Sequence, residues 1–309
     1  MPLQTTHRPT NLSEFYGNEA LKASLESVLS REYDIPPSFL FIGRSGCGKT
    51  TLGRIVAKEL GGVGMDVKTY NASNTRGIDT IREVIKTLPT SPMLGKKKIY
   101  IFEEAAGITG AAAEAMLLML EEPPKHVHFV LCTTEPEKLK PTIKRRCHIA
   151  EVSPLDNETM MSFLKSIIKK EGIEDYPEKI LKKVIYVSDG SPGKALSVLD
   201  AVIDIENDEQ AVEAIETKVL SETTSKEICR LLLDENMGAE AKWKDMVKII
   251  KGLKVEPEQA RRGILGYMEK VLWSSGSDRV AEIMELFVEP LYNSGKPGLS
   301  LVLYTACKI

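Results

Sequence analysis

The sequence predicts an α/β domain on a parallel sheet, then a small helical unit and an all-helical C-terminal domain. Three observations carry this. Short apolar runs at residues 39–42, 67–70, 99–102 and 128–132 alternate with segments such as 19–30, 52–60 and 78–86. The intervening segments repeat their apolar residues at helical spacing. Strands separated by helices imply right-handed crossovers, hence a parallel sheet with ligands at the carboxyl ends of its strands. From about Ala150 the strand signal stops, and all later apolar periodicity is helical.

The first strand runs straight into Gly43-Arg44-Ser45-Gly46-Cys47-Gly48-Lys49-Thr50, and a helix follows from Thr51. That is G-x-x-x-x-G-K-[ST] in the strand–loop–helix setting the motif requires, and it predicts binding of ATP and Mg2+. The loop, from Gly43 through Ser45, Gly46, Cys47 and Gly48, lets backbone N–H groups close around phosphates, and the helix start adds partial positive charge. Lys49 would reach the β and γ phosphates, and Thr50 would ligate the magnesium. A chance Gly-rich turn is the competing reading, and the flanking strand and helix weigh against it.

The strand at 99–102 ends in Glu103 and Glu104. The first would hold the magnesium shell, and the second would orient or deprotonate the attacking water. Asp is usual at the first position, and Glu103 is one methylene longer. A solvated strand end is the alternative for both.

Beyond residue 150, helices are expected over 160–170, 178–187 and 194–205, broken by Gly172 and by Gly190-Ser191-Pro192-Gly193. The acidic stretch 204–209 separates this unit from a helical remainder with turn signals at Gly238, 255–257, 275–278 and 295–297. The expected domains are 1–150 (α/β), 151–206 (helical lid) and 207–309 (helical collar).

Composition agrees. A chain of 309 residues exceeds one ordinary core. With 42% hydrophobic and 28% charged residues it reads as a soluble globular protein. It has no apolar run long enough for a bilayer, and no secretory leader is visible. Five scattered cysteines without a C-x-x-C pair argue against a zinc site or disulfide framework and for a reducing cytoplasm, in a prokaryotic or phage-infected cell. A net charge of −3 leaves any DNA contact to a local basic surface.

With the two nucleotide motifs placed, residues 5–200 resemble the AAA+ ATPase domains of clamp loaders, namely replication factor C small subunits and bacterial gamma/tau and delta-prime subunits. The resemblance rests on an ordered set of segments. They are His7-Arg8-Pro9 with Leu12-Ser13-Glu14-Phe15-Tyr16-Gly17-Asn18; Asn71-Ala72-Ser73-Asn74-Thr75-Arg76-Gly77-Ile78-Asp79; Leu120-Glu121-Glu122-Pro123-Pro124; Thr133-Thr134-Glu135-Pro136; and Ile143-Lys144-Arg145-Arg146-Cys147. The C-terminal part matches only as a helical domain of collar size.

The resemblance implies that Arg8, Pro9, Tyr16 and Gly17 border the adenine and that Thr134 senses the γ-phosphate. It makes Arg146 an arginine finger for a neighbouring subunit's ATP; read without it, Arg145 and Arg146 are a solvated basic pair. It implies a ring of five subunits, a sliding clamp and primer-template DNA as partners, and no membrane. Arg76, Ile78 and Arg82 would face DNA phosphates, with an Arg76–Asp79 surface pair as the alternative. Leu88, Met93 and Leu94 would enter the clamp, or else pack beneath the sheet edge. Four departures stand out. Glu103 replaces Asp; Gly193 replaces a lid arginine, leaving Lys194 as the nearest cation; the zinc cysteines of bacterial relatives are absent; and Ala113 stands where relatives often carry Gln. The expected function is an ATP-driven clamp-loader subunit. The alternatives are a weakly hydrolysing scaffold subunit of the same complex, favoured by Glu103 and Gly193, and another DNA-remodelling motor such as a Holliday-junction ATPase. The latter end in a winged helix with a β-hairpin, for which no signal follows Ser221.

Overall fold

The computed structural model describes residues 2–72, 78–253, 255–291 and 294–309, with the side chains of Ile78 and 219–222 also outside the description. The chain divides into two compact units, residues 1–203 and 204–309.

In chain order the first unit holds α1 (Leu3–Thr6), α2 (Glu19–Leu29), β1 (Ser38–Gly43), α3 (Lys49–Glu59), β2 (Val67–Asn71) and α4 (Ile78–Thr87). Next come β3 (Lys98–Glu103), α5 (Gly110–Glu121), β4 (Val127–Thr133), α6 (Pro141–Arg145) and β5 (His148–Val152). The helices α7 (Asn157–Lys170), α8 (Glu178–Ser188) and α9 (Pro192–Asp200) complete it. The five strands form one sheet in the order β2-β3-β4-β1-β5, with every pairing parallel. The expected parallel α/β sheet with helical segments beyond it is therefore the observed fold.

Strand alternation sends side chains to opposite faces. Leu40, Tyr100, Phe102, Phe129 and Leu131 pack against α4 and α5 residues such as Ile81, Val84, Met116 and Met119. Phe39, Phe41, Ile99, Ile101 and Val130 pack on the other face against Leu25, Leu52, Ile55 and Val56. A sheet covered on both faces requires continuous apolar strands, and β4 is buried along its whole length. The edge strand β5 departs from the sequence reading, which ended the strands at Ala150. It is short and alternates buried and exposed residues, so only Ala150 and Val152 enter the core. Its pairing to β1 carries the α/β region to Val152.

The register sets Ile42 beside Thr133 and Phe102 beside Leu131, so β1, β3 and β4 end together. Side-chain caps start α7 and α9: Asp156 accepts from the Thr159 N–H at 2.8 Å, and Ser191 accepts from the Lys194 N–H at 3.3 Å.

The second unit is helical throughout its described residues: α10 (Asp208–Leu233), α11 (Ala239–Lys251), α12 (Pro257–Ser275), α13 (Asp278–Leu286) and α14 (Gly295–Ala306). Asn207 caps α10 by accepting from the Glu209 and Gln210 N–H groups. Ile228, Leu232, Met246, Ile264, Phe287 and Leu303 form its core. A buried charge network ties α12 to the α13–α14 connection. Arg261 donates to both carboxylate oxygens of Glu258 at 2.8 and 2.6 Å and to the Phe287 carbonyl at 2.6 Å. The Leu291 N–H donates to the same carboxylate at 2.8 Å. No helix among the described residues is long and apolar enough to cross a membrane, and none of their His, Cys, Asp or Glu residues gather as a metal cluster.

Candidate nucleotide site

β1 delivers the phosphate-binding loop at the carboxyl edge of the sheet, between neighbours β4 and β5. The loop needs glycine at two positions for physical reasons. Gly46 (φ 75°) and Gly48 (φ 101°) lie in the left-handed region. A Cβ on Gly46 would overlap Ser191 Oγ, and one on Gly48 would stand 2.9 Å from the Phe15 ring. The backbone turn so made points the first N–H groups of α3, which have no partner within the helix, along the loop.

Lys49 is only 8% exposed, and its Nζ donates to the Gly43 and Arg44 carbonyls at 2.9 and 3.0 Å. Burial lowers its pKa, opposed by the negative charge of Glu104. The thiols beside it are inert: burial raises the pKa of Cys47 and takes that of Cys132 up to about 12.

β3 brings Glu103 and Glu104 to the same cleft. Glu104 has a left-handed backbone, φ 51°, just after the strand, a strained setting for a residue with a side chain. The turn brings its carboxylate to Thr134, at the end of neighbouring β4, whose hydroxyl lies 3.4 Å from Glu104 Oε2.

The cleft has a volume of about 320 Å³, at the lower end of the ~300–1,000 Å³ usual for small-molecule sites. Of the residues singled out from sequence, Arg8, Pro9, Tyr16, Ser45 to Thr51, Glu103 and Glu104 line it. Gly17, Gly43, Thr134 and Lys194 are not among the lining residues. Gly43 and Thr134 meet lining residues instead: the Gly43 carbonyl accepts from Lys49 and the Thr134 hydroxyl donates to Glu104. Sequence reading missed Gln4, His7 and Phe15 from the N-terminal segment and Leu155, Phe163 and Leu196 from the helical region. Phe163 meets Tyr16 with ring centroids 5.2 Å apart, giving the cleft an aromatic wall suited to a base. The hydroxyl of Thr50 and the carboxylates of Glu103 and Glu104 form a hard oxygen donor set of the kind Mg2+ prefers. The residues present therefore fit a magnesium nucleotide.

The remaining predicted residues lie elsewhere. Arg146 follows α6, outside the cleft, and donates to the Glu121 carboxylate and to the Thr142 carbonyl at 3.1 Å. Arg76 lies outside the described residues, as does the side chain of Ile78. Arg82 is exposed on α4 and pairs with Asp79 at 3.4 Å.

Leu88 requires a correction. At 7% exposure it belongs to the core under α4, because it follows the buried row Ile81 and Val84. It is not available as a surface contact. Met93 and Leu94 are 74% and 63% exposed, and Val63 and Met65 are exposed beside them in sequence position before β2. The two loops are joined by Asp66, whose carboxylate accepts from the Met93, Leu94 and Gly95 N–H groups, each at 2.7 Å. These bonds lower the Asp66 pKa.

Comparison with known proteins gives two kinds of likeness. Residues 61–156 match the family described as DNA polymerase III, delta subunit. The DNA polymerase III subunit gamma/tau of Mycobacterium tuberculosis is 33% identical over 226 residues, covering 66% of this chain and 39% of that protein. The replication factor C small subunit of Methanococcus vannielii is 33% identical over 202 residues, covering 64% and 63%. The chain thus spans about two-fifths of the gamma/tau relatives it matches. Among solved structures, the Thermotoga maritima RuvB Holliday junction branch migration motor aligns with a TM-score of 0.58 over 77% of this chain and 85% of that one. At 18% identity this likeness concerns the fold alone.

Proposed function

Because about two-thirds of the chain is similar to clamp-loader subunits, we propose that it is an ATP-driven clamp-loader subunit in DNA replication. It would act in a ring with other loader subunits, on a sliding clamp and primer-template DNA. The observation that carries the reading is that the loop with Lys49 and the Glu103–Glu104 pair line one cleft, with Thr134 beyond the end of β4 donating to Glu104.

In this reading Lys49 and the loop N–H groups hold the β and γ phosphates. Thr50 and Glu103 would hold the magnesium, which supplies charge neutralisation to the phosphates when bound. Glu104 orients the attacking water and accepts its proton, and Thr134 fixes the Glu104 carboxylate. Tyr16 and Phe163 flank the base, with Arg8 and Pro9 at its edge. Arg146, already oriented by Glu121, would serve the site of the next subunit. Met93 and Leu94 would enter the clamp from the mount that Asp66 makes.

The test is steady-state phosphate release by the chain assembled with its partner subunits, with and without clamp and primer-template DNA. Stimulation by the two together is expected; no release under any condition, with ATP still bound, would favour the scaffold reading. That second reading draws on the uncharged lining the helical region offers the cleft. A branch-migration motor is disfavoured because no strand follows Val152 among the described residues.

A further inference from the structure

The helical lid meets the phosphate-binding loop through main chain. The Gly193 N–H, at the start of α9, donates to the Gly46 carbonyl at 3.0 Å. A Cβ on Gly193 would stand 3.2 Å from that oxygen and 3.4 Å from Gly46 Cα, so the two backbones touch with no room between them. The Gly193 carbonyl in turn accepts from the Gln4 side-chain amide. One residue of the lid is therefore bonded through both of its main-chain polar groups, to the loop and to the N-terminal segment. On the loop's outer side Arg44 pairs with Asp189, just before the lid turn.

The same region offers the cleft no charged side chain. From residue 155 onward the lining consists of Leu155, Phe163, Pro192, Gly193 and Leu196. Lys194 lies outside the lining, near enough to Asp189 to help Arg44 hold that carboxyl below its ordinary range. The cationic side chains that line the cleft, Arg8 and Lys49, come from the N-terminal segment and the loop.

We propose that Gly193 positions the lid on the phosphate-binding loop through its peptide contact with Gly46, and that the lid seats alike on a nucleoside diphosphate and a triphosphate. A ligand shifts a conformational equilibrium only by its differential interaction with the two states. A terminal phosphate that faces no charged lid group supplies the lid with none. Discrimination between the two nucleotides then falls to Thr134 and Glu104 at the strand ends. The inference rests on the nucleotide-site reading above.

Hydrogen–deuterium exchange of the full chain with Mg2+ and either ADP or ATPγS tests it, alongside titration of both nucleotides. In the peptide covering residues 189–196, the Gly193 amide carries the contact with Gly46, while the Ser191, Lys194 and Ala195 amides are bonded within the lid and report its local stability. Exchange there should agree within about twofold between the two nucleotides. Gly193→Ala crowds the Gly46 carbonyl and weakens one hydrogen bond. It should raise both dissociation constants by about three- to tenfold, leave their ratio unchanged, and speed exchange in 189–196 but not in β1. Protection more than about tenfold stronger with ATPγS than with ADP would overturn the inference alone. So would a Gly193→Ala effect confined to one nucleotide. Failure of the folded parent to bind either would overturn the site reading as well. The parent comparison needs no variant, so a poorly folding Gly193→Ala leaves the test decisive.

Discussion

Lys49→Met separates what the phosphate-binding lysine does for the fold from what it does for nucleotide. The ammonium is nearly buried and bonded to the Gly43 and Arg44 carbonyls, and burial lowers its pKa. Methionine keeps the length of the stem and removes the desolvated charge. The two carbonyls it leaves border an open cleft, so water can replace the lost bonds. Stability should then stay within about 1 kcal/mol of the parent. Affinity should not. The ammonium's two bonds to phosphate pair opposite charges and stand near the upper end of the about 1.5–3 kcal/mol of charge-assisted bonds, and its two bonds to neutral carbonyls stand near the lower end. The difference, roughly 1–3 kcal/mol, is about 5- to 150-fold in Kd.

The sign of the pH effect follows too. A folded pKa below the ordinary lysine value means that the unfolded chain binds the proton more tightly. The parent therefore gains stability as pH rises through the folded pKa toward 10.5, while its ATP affinity falls. The variant should show neither trend. Thermal melting and a fluorescent-ATP titration across pH check both. A variant that melts far below the parent yet binds ATP equally would refute the reasoning, because Lys49 would then be structural.

Other outcomes follow from the same geometry. Glu104→Gln should stop phosphate release while sparing ATP binding, and Glu103→Asp should raise turnover by restoring the usual reach to the metal's water shell; steady-state phosphate release by the assembled complex reads both. Arg146→Ala should leave ATP binding by the isolated chain intact, cost at most about 1 kcal/mol for its part-exposed Glu121 pair, and lower turnover of the assembled ring. In the second unit, Arg261 and then the Leu291 N–H hold the Glu258 carboxyl down to about 2. Its contribution is full above about 4.5 and is lost as pH falls toward 2, so acid unfolding of Glu258→Gln should be shallower than that of the parent in that window.

Much of this was legible in the sequence where burial is complete. β1, β3 and β4 are covered on both faces, so their apolar runs are unbroken, and the loop and carboxylates follow them directly. β5 was not legible, because an edge strand with Ile149 and Glu151 outward shows only two core residues. Phe163 and Leu196 line the cleft from helices, where an apolar side chain at helical spacing looks the same whether it faces a core or a ligand. Glu258 and Arg261 are, in sequence, opposite charges three residues apart with no local sign of burial, and only the packing of the α13–α14 connection buries them. The Glu104–Thr134 approach depends on a register between β3 and β4 that no local pattern encodes.

The Asp66 carboxylate, gathering the Met93, Leu94 and Gly95 amides, would have a thermodynamic consequence for a partner docking on those exposed side chains. Ordering a backbone residue costs about 1–2 kcal/mol of conformational entropy, so three residues already held represent roughly 3–6 kcal/mol settled during folding. A partner meets side chains on a preorganised frame and has only their rotamers to quiet. A small apolar contact can then bind usefully and still release quickly, since little of its free energy is spent on making the loop hold still.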